Sequence, residues 1–230
     1  MRNRSVSGSL AGTDVLVAGD GTTALLQLRE AERAGFTALM LGPQRTRLRS
    51  AVFEEHSGTW QVETVLGDSY QGRYLVAAPA SDSLAQVDVR GRDGVRLSDH
   101  WACGPRSYLG IMTAGFPNFF FPGEPHTAAG RPADEQVNLV TDTLSHAREH
   151  GHAVVEVAPD AEAAWTGLTD YGQTLRRLLH AGAEALAEVL EPAEETPAPP
   201  GLPGLLGLVA ATAEDPWAAF DFSPVSARER

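Results

Sequence analysis

The chain has 230 residues, 43% of them hydrophobic and 21% charged, so it can build one domain with its own core but not two complete cofactor-binding domains. All 18 basic residues are Arg and they oppose 30 acidic residues, so the net charge of -12 argues against nucleic-acid binding, which needs a basic surface. A single cysteine, the lack of an apolar window of about 18 residues and the lack of an apolar signal sequence predict a cytoplasmic protein without membrane contact.

The first predicted elements are a strand, a glycine-containing turn, a helix and a second strand. Residues 13–18 form a short apolar run typical of a buried strand, and residues 22–34 carry apolar side chains at helical spacing before Gly35, which we predict to end the helix. Residues 36–41 are a second apolar run. Since strand, helix and strand follow one another so closely, the sequence predicts a right-handed βαβ crossover and a parallel sheet.

Shorter strands follow in the middle of the chain. Residues 48–78 alternate between apolar and polar side chains and contain Ser-Gly and Gly-Asp turns, which predicts β-hairpins at one end of the parallel sheet. Residues 104–121 contain a further apolar strand, with Phe116-Pro117-Asn118 as the turn before three Phe residues. Residues 132–150 predict a helix, because Pro132 suits a first helical turn and apolar residues recur on one face.

The C-terminal part predicts more helix and then a proline-rich extension. Residues 161–190 have the pattern of two helical pieces, and EPAEETPAPPGLPG follows as a loop or linker. We therefore divide the chain into a flexible start (1–12), a single domain (13–190) and a Pro-rich C-terminal extension (191–230).

The turn after the first strand, GDGTTA, has the small residues that a dinucleotide-binding turn requires. Gly19 permits a tight bend, Gly21 lets backbone N–H groups approach a pyrophosphate, and Ala24 lets the helix pack on the strand. Asp20 places a carboxylate beside that phosphate, and two like charges about 4 Å apart repel by about 1 kcal/mol in water and about 4 kcal/mol at an effective dielectric constant of 20. The second strand ends at Gly42, so the acidic residue that binds the adenosine ribose in such sites is absent.

GPRSYLGIMTAGFPNFFFPGEPHTAAGRPADEQ, residues 104–136, resembles the C-terminal half of the flavin-binding domain of type I Baeyer-Villiger monooxygenases, the relatives of cyclohexanone monooxygenase. The likeness extends to HSGTWQVETVLGDSYQGRYLVAAPA before it and VEVAPDAEAAWTGLTDYGQTL after it. It implies an α/β fold, namely a Rossmann-like FAD-binding-type domain with a parallel sheet, an added antiparallel β-hairpin region and C-terminal helices. It also implies a flavoprotein-like oxidoreductase.

The chain departs from this family in ways that bear on its cofactors. The family inserts an NADPH-binding domain before the segment that here begins at Tyr108, whereas only 27 residues separate Ala80 from Tyr108. The resemblance thus implies a shortened form that lacks an NADPH site and the family's catalytic Arg between about residues 80 and 107. It also implies FAD binding that is weak or lost. No metal is expected, because the single cysteine and the histidines do not form a complete ligand set. The candidate FAD contacts are Gly19, Gly21, Ala24, Pro122 and Gly123.

Two functional hypotheses follow from the resemblance. In the first, the chain is a truncated, degenerate monooxygenase-like protein of bacterial secondary metabolism. It would be an accessory subunit of a monooxygenase or a repurposed apolar-substrate-binding protein or cyclase, and a non-enzymatic binding module is not separable from these by sequence. We expect a homo-oligomer, or a heteromer with a full-length flavin monooxygenase. The pocket for a polyketide-like guest would be lined by aromatic residues, namely Tyr108, Phe116, Phe119, Phe120 and Phe121.

In the second hypothesis, the protein is an active FAD-dependent monooxygenase that performs Baeyer-Villiger oxidation or epoxidation with electrons from a separate reductase. Such chemistry needs a dry site and a cationic donor. Arg106 and Arg131 are the basic residues of the matched segments. The resemblance places residues 121–124, Phe-Pro-Gly-Glu, where the family has a turn near the flavin ring, and Arg131 is the better catalytic candidate because it lies close to this flavin-side turn.

Other conspicuous residues predict structure more than chemistry. His146, His150 and His152 include a zinc-like helical spacing but lack a defined set of further ligands, so we predict a solvated helix end. Cys103 is predicted to be a buried structural thiol. The four Trp residues are predicted to fill the core or an interface. We predict that three alternating Arg residues lie in an exposed loop or, alternatively, contact an anionic ligand or an acidic partner: Arg45, Arg47 and Arg49.

Overall fold

The computed structural model describes residues 13–42, 48–78, 84, 87–123, 132–169, 215 and 217–224. Its strands are β1 (Val15–Ala18), β2 (Ala38–Leu41), β3 (Leu48–Glu54), β4 (Thr59–Thr64), β5 (Ser69–Gly72), β6 (Tyr74–Ala77), β7 (Asp88–Arg90), β8 (Phe119–Phe120), β9 (Val154–Val157) and β10 (Phe220–Ser223). Its helices are α1 (Thr22–Arg33), α2 (Leu97–His100), α3 (Ala133–Glu149) and α4 (159–169). A 3-10 turn covers Arg92–Gly94.

A parallel sheet with the strand order β2-β1-β6-β8 forms the centre of the protein. In its register, Val15 lies opposite Ala38 on one side and Tyr74 on the other. The predicted strand, helix, strand unit is confirmed, and Gly35 follows α1 with a φ of 82°, the left-handed conformation that ends helices. The α/β fold class with an added antiparallel region is also confirmed.

An antiparallel region is built on the β3–β4 hairpin, as predicted, and its four strands have the order β5-β4-β3-β7. The last part of the predicted hairpin region is divided at Arg73, because β5 pairs with β4 while β6 joins β1 in the parallel sheet. Gly72 makes this change of sheet possible. A Cβ at this position would lie 2.7 Å from Cγ of Leu16 in β1.

The apolar strand predicted within residues 104–121 is short, since only Phe119–Phe120 of this stretch pairs in the parallel sheet. The preceding segment consists mainly of turns, and Asn118 has a φ of 56°, which is incompatible with an extended strand. The predicted turn before the Phe residues is confirmed. Its Asn118 side chain donates through Nδ2 to the carbonyls of Gly58 (3.2 Å) and Ala153 (3.0 Å) and accepts from the Val155 amide (2.8 Å).

The C-terminal half packs α3 and an antiparallel β9–β10 ribbon onto the sheet. The helix predicted at residues 132–150 is confirmed. The ribbon was not predicted, and the predicted boundary at residue 191 does not separate β10 from the domain, because Phe220 is 7% exposed and pairs with Val157. Of the predicted helical stretch 161–190, only residues 161–169 are described, and they belong to α4. The predicted flexible start lies outside the described residues.

Side chains alternate along the central strands and divide the core into two clusters. Val15, Val17 and Val76 face the first cluster, which lies against α1 and α3, whereas Leu16 and Leu75 face the second, which lies against the antiparallel sheet. The protein is therefore a three-layer arrangement of helices, parallel sheet and antiparallel sheet. Among the described helices, none has both the length and the apolar character that a bilayer span demands.

Candidate dinucleotide site

The turn between β1 and α1 has the close packing that its small residues predict. Gly19 has a φ of 153°, and a Cβ there would lie 2.2 Å from the Ala78 carbonyl oxygen and 3.1 Å from the Ala24 methyl carbon. Gly21 is the extended residue immediately before α1, with φ -90° and ψ 177°. Strand, turn and helix are thus as close as in a dinucleotide-binding unit, and a side chain at Gly19 would separate them.

The electrostatics of this turn are mixed. The first turn of α1 contains no acidic residue and its Gly21 cap makes no side-chain hydrogen bond, so the partial positive charge of the helix N-terminus is available to an anion. Asp20, directly before the cap, is exposed and carries the opposing charge. An anion at this turn gains from the helix but loses part of that gain to Asp20.

The end of β2, where the adenosine ribose is bound in dinucleotide sites, has neither an acid nor room for one. Gly42 follows the strand, and a Cβ at this position would lie only 2.4 Å from the Gly19 carbonyl oxygen. Residue 42 is thus packed directly on the phosphate turn. The residues here do not fit the adenosine end of FAD, because the ribose hydroxyls would find no carboxylate acceptor at this position.

The flavin-side turn lies next to the first turn of α1, and this brings the predicted contact residues Pro122 and Gly123 to the glycine turn. A Cβ at Gly123 would lie 3.2 Å from the Thr23 side chain, and its φ is 81°. The Gly123 amide donates to Oε1 of Gln136 at 2.6 Å. The candidate cofactor residues from both halves of the domain therefore converge on one end of α1.

Gln136 was missed by sequence reasoning. It is fully buried at the start of α3, and its Nε2 has no hydrogen-bond partner. The signal was its spacing, because Gln136 lies four residues before Val140 and so on the apolar stripe of the helix. A buried amide with an unused donor is costly unless it serves a ligand or a water.

No described contact places either predicted catalytic arginine at the glycine turn between β1 and α1. Arg106 is exposed in the loop that precedes Tyr108, and Arg131 lies outside the described residues. For the alternating Arg residues, only Arg49 belongs to the described chain, where it forms an exposed ion pair with Glu63 at 3.3 Å. That pair is consistent with the exposed position predicted for Arg49.

The five aromatic residues predicted to line one pocket are divided between the two core clusters. Tyr108 and Phe120 belong to the first cluster, and the other three belong to the second. The four Phe side chains have no exposed surface and Tyr108 is 4% exposed. Most of them contact other aromatic rings, for example Phe119, whose ring lies tilted against Trp60 with centroids 5.5 Å apart. In this structure they pack as core, on opposite faces of the sheet, and do not line a shared cavity.

A buried polar network near α2 and α4 was also missed. Glu162, 4% exposed, accepts from the Thr113 hydroxyl, from the Ala114 amide at 3.0 Å and from His100, whose Nε2 is 3.4 Å from the carboxylate. Burial raises the pKa of the Glu162 carboxyl, but the hydrogen bonds from His100, Thr113 and Ala114 outweigh it, so the pKa lies below its usual value. The network joins the chain segments around the Tyr108 turns to α4.

Cys103 and the Trp residues give contrasting outcomes. The prediction of a buried Cys103 is wrong, since the thiol is exposed in the turns that follow α2. The core prediction for Trp is confirmed. Trp60 and Trp101 are 0% and 5% exposed, and Trp165 and Trp217 pack against the first cluster. Within the described ranges, no three His, Cys, Asp or Glu side chains are arranged to hold a metal ion.

The fold and the glycine turn define an α/β protein of the dinucleotide-binding type, and comparison with known proteins identifies its relatives. No family model matches the sequence. The chain is 38% identical over 100 residues to 2-oxo-Delta(3)-4,5,5-trimethylcyclopentenylacetyl-CoA monooxygenase of Pseudomonas putida, covering 40% of this chain and 18% of that protein. It is 34% identical over 128 residues to a Baeyer-Villiger monooxygenase of Pseudooceanicola batsensis, covering 54% and 21%.

Solved structures were found among the same enzymes. The closed crystal structure of cyclohexanone monooxygenase covers 71% of this chain and 32% of its own, with 27% identity and a TM-score of 0.40. By sequence, the homologues of this protein are flavin Baeyer-Villiger-type monooxygenases, as the sequence motifs predicted. The chain spans about a fifth of the length of the relatives that it matches.

Proposed function

We propose that this protein is a shortened derivative of the flavin monooxygenase scaffold that acts as an accessory subunit of a full-length flavin monooxygenase and does not complete monooxygenation alone. Gly42 carries this proposal, because glycine offers no acceptor to the ribose and a Cβ at this position would lie 2.4 Å from the Gly19 carbonyl oxygen, which leaves no room for an acidic side chain. Asp20 adds a like charge beside the phosphate position. Together these features favour weak or lost FAD binding.

The connection between β6 and Tyr108 supports the lack of an NADPH site. The described residues of this connection form β7, the 3-10 turn and α2, and β7 pairs in parallel with β3. Val89, Leu97 and Trp101 from this segment are 0–5% exposed in the second cluster. The short connection is therefore an integral part of the core and not a place where a further domain would be inserted without disrupting it.

The packing of the aromatic residues favours the accessory role over an apolar-substrate-binding protein or cyclase. A polyketide-like guest would have to displace fully buried Phe side chains, each of which contributes about 1.5–3 kcal/mol by its burial. No such displacement is needed for a subunit that binds through its surface. The predicted partner is a full-length flavin monooxygenase, and the chain would modulate it without contributing its own redox cofactor.

Titration with FAD and a partner-binding assay test the proposal. We expect the purified protein to bind added FAD only weakly, and Asp20→Ala to bind it about tenfold more tightly, since removing about 1.4 kcal/mol of repulsion changes affinity tenfold. Asp68→Ala, at a half-buried position in the β4–β5 turn, is the control for loss of one carboxylate and should leave FAD affinity unchanged. Size-exclusion chromatography with a full-length homologue should give a stable complex. Tight FAD binding by the unmodified protein, or no complex with any full-length homologue, would contradict the proposal.

The intact geometry of the α1 turn favours a second candidate, an FAD-dependent monooxygenase that receives electrons from a separate reductase. In that case Gly19, Gly21 and the N-terminus of α1 would hold the pyrophosphate, and Gly123 with Gln136 would border the flavin side. FAD would supply the oxygen-transfer chemistry, while the chain would bind it, orient it and exclude water. Gln136→Leu should then weaken FAD binding at least tenfold while leaving the folded structure intact, as measured by flavin fluorescence and circular dichroism.

A further inference from the structure

Three histidines lie together where α3 ends and the chain approaches β9. The ring centroids of His146 and His150 are 4.2 Å apart, and those of His150 and His152 are 6.1 Å apart with nearly parallel planes. The Nδ1 atom of His150 lies 2.9 Å from the His146 carbonyl oxygen. The predicted solvated helix end is thus only partly correct, because His150 is exposed but His146 and His152 are half-buried.

The partner of these rings is the C-terminal segment 217–224. Trp217 stacks on His146, with centroids 4.4 Å apart and planes 22° apart. Phe222 of β10 lies 5.0 Å from His146 and 5.3 Å from His152. The same segment is held by the four-residue register of β10 with β9 and by Phe220 in the first cluster. The imidazoles therefore form the outer part of the contact that fixes this segment.

Protonation would work against this arrangement. The neutral His146 ring packs on Trp217 and Phe222, and a charge on this half-buried ring would be partly removed from water and would lie 4.2 Å from the His150 ring. Burial and the neighbouring His150 and His152 lower the pKa of His146, whereas Asp215 and Glu149 act in the opposite direction.

Three charged residues of the neighbouring elements are directed away from the histidines: Arg148, Glu156 and Asp221. Arg148 of α3 donates to the Ala34 carbonyl at 2.7 Å and lies over the Phe36 ring. Glu156 of β9 and Asp221 of β10 occupy alternate positions to Phe222 and Val155, so they lie on the opposite face of the ribbon. The described carboxylates Asp215 and Glu149 raise the pKa of His146, but by less than burial, His150 and His152 lower it.

We propose that His146, with His150 and His152 packed beside it, forms a pH-sensitive clasp, which holds β10 and Trp217 in place when the His146 ring is neutral and loosens them when that ring is protonated. Release has a defined structural consequence. Phe220 packs 5.4 Å from Tyr108 between ring centroids, so departure of the segment would uncover the Tyr108 side of the first cluster. The clasp thus couples acidification to exposure of an apolar surface in an otherwise closed core.

Amide hydrogen exchange on the full chain tests the clasp directly. We compare the protection of residues 217–223 with that of β1 at about pH 7.5 and about pH 5.5, after correction for intrinsic exchange rates. We expect protection of the C-terminal segment to fall by up to about tenfold, which is the limit that one histidine of ordinary pKa sets between these two pH values, while β1 stays protected. Unchanged protection of the segment, or an equal loss in β1, would overturn the proposal.

Variants separate the histidine effect from general acid sensitivity. His146→Phe combined with His150→Gln keeps a ring against Trp217 but removes two titrating groups, and should retain segment protection in acid. His150→Gln alone, at an exposed position, should reduce the acid effect with no change at neutral pH. His56→Gln is the matched control, since His56 is 76% exposed in the β3–β4 turn and should behave as wild type. Acid release that persists in the double variant would refute the clasp.

Discussion

Substitution of Asn118 by Ala is the most informative single change for the fold. Asn118 has no exposed surface, adopts a left-handed φ of 56°, and makes three buried hydrogen bonds to backbone groups of Gly58, Ala153 and Val155. Its hydrogen bonds therefore connect the β3–β4 turn and the start of β9 to Asn118 itself, which immediately precedes β8. The motif Phe116-Pro117-Asn118 is explained by this one side chain.

The magnitude follows from these contacts. Loss of the side chain leaves three buried backbone groups without their partner, at about 1 kcal/mol each or more. Ala also tolerates the left-handed conformation less well than Asn, which adds about 1 kcal/mol. We expect Asn118→Ala to lower the free energy of unfolding by about 4 kcal/mol, a large part of the about 5–15 kcal/mol typical of a domain.

Equilibrium unfolding in urea, followed by circular dichroism, measures this loss. Asn138→Ala is the matched control, because Asn138 is exposed within α3 and Ala is the better helix former there. Asn118→Asp should lie between wild type and Asn118→Ala, since it keeps an acceptor for the Val155 amide but loses the donor. An Asn118→Ala effect below about 1 kcal/mol, or equal to that of Asn138→Ala, would refute the role assigned to this side chain.

Three further changes test other contacts. Gly19→Ala puts a Cβ 2.2 Å from the Ala78 carbonyl oxygen and should destabilise the protein by about 3 kcal/mol or more in the same urea assay, whereas a neutral result would show that the turn is not tightly packed. Trp60→Phe removes the 2.9 Å hydrogen bond from Nε1 to the Pro117 carbonyl and should cost about 1–3 kcal/mol, with thermal unfolding as the check. The pKa of Glu162 in the folded protein lies below its ordinary value of 4.5, so the ionised carboxylate stabilises the fold above pH 4.5, and this stabilisation is lost as the pH falls through the folded-state pKa. Glu162→Gln should abolish this acid-dependent loss of unfolding free energy. A pH profile equal to that of the wild type would contradict the role of the carboxylate.

The parts of the fold that were predictable are those with local sequence signals. The β1–α1–β2 unit, α3 and the β3–β4 hairpin each carry a hydrophobic period or a glycine turn within their own residues. β7, β9 and β10 have three or four residues each and depend on pairing with strands distant in the chain. A short apolar run does not reveal such a partner.

The candidate site was predictable in part for the same reason. The glycine turn and the missing acid at Gly42 are visible in the sequence, but the contact between Gly42 and Gly19 is not. The face of the sheet on which a side chain lies depends on strand register, so the division of Tyr108 and Phe120 from Phe119 was not visible either. Gln136 became conspicuous only when burial showed that its Nε2 has no partner.

The flavin content of the purified protein tests the central claim most directly. Native protein from cells with ample riboflavin is denatured, and the released FAD is quantified by fluorescence against the protein concentration. The closed adenosine end of the turn predicts a content far below one FAD per chain. A content near one FAD per chain would show that the Gly42 contact does not prevent binding and would contradict the account.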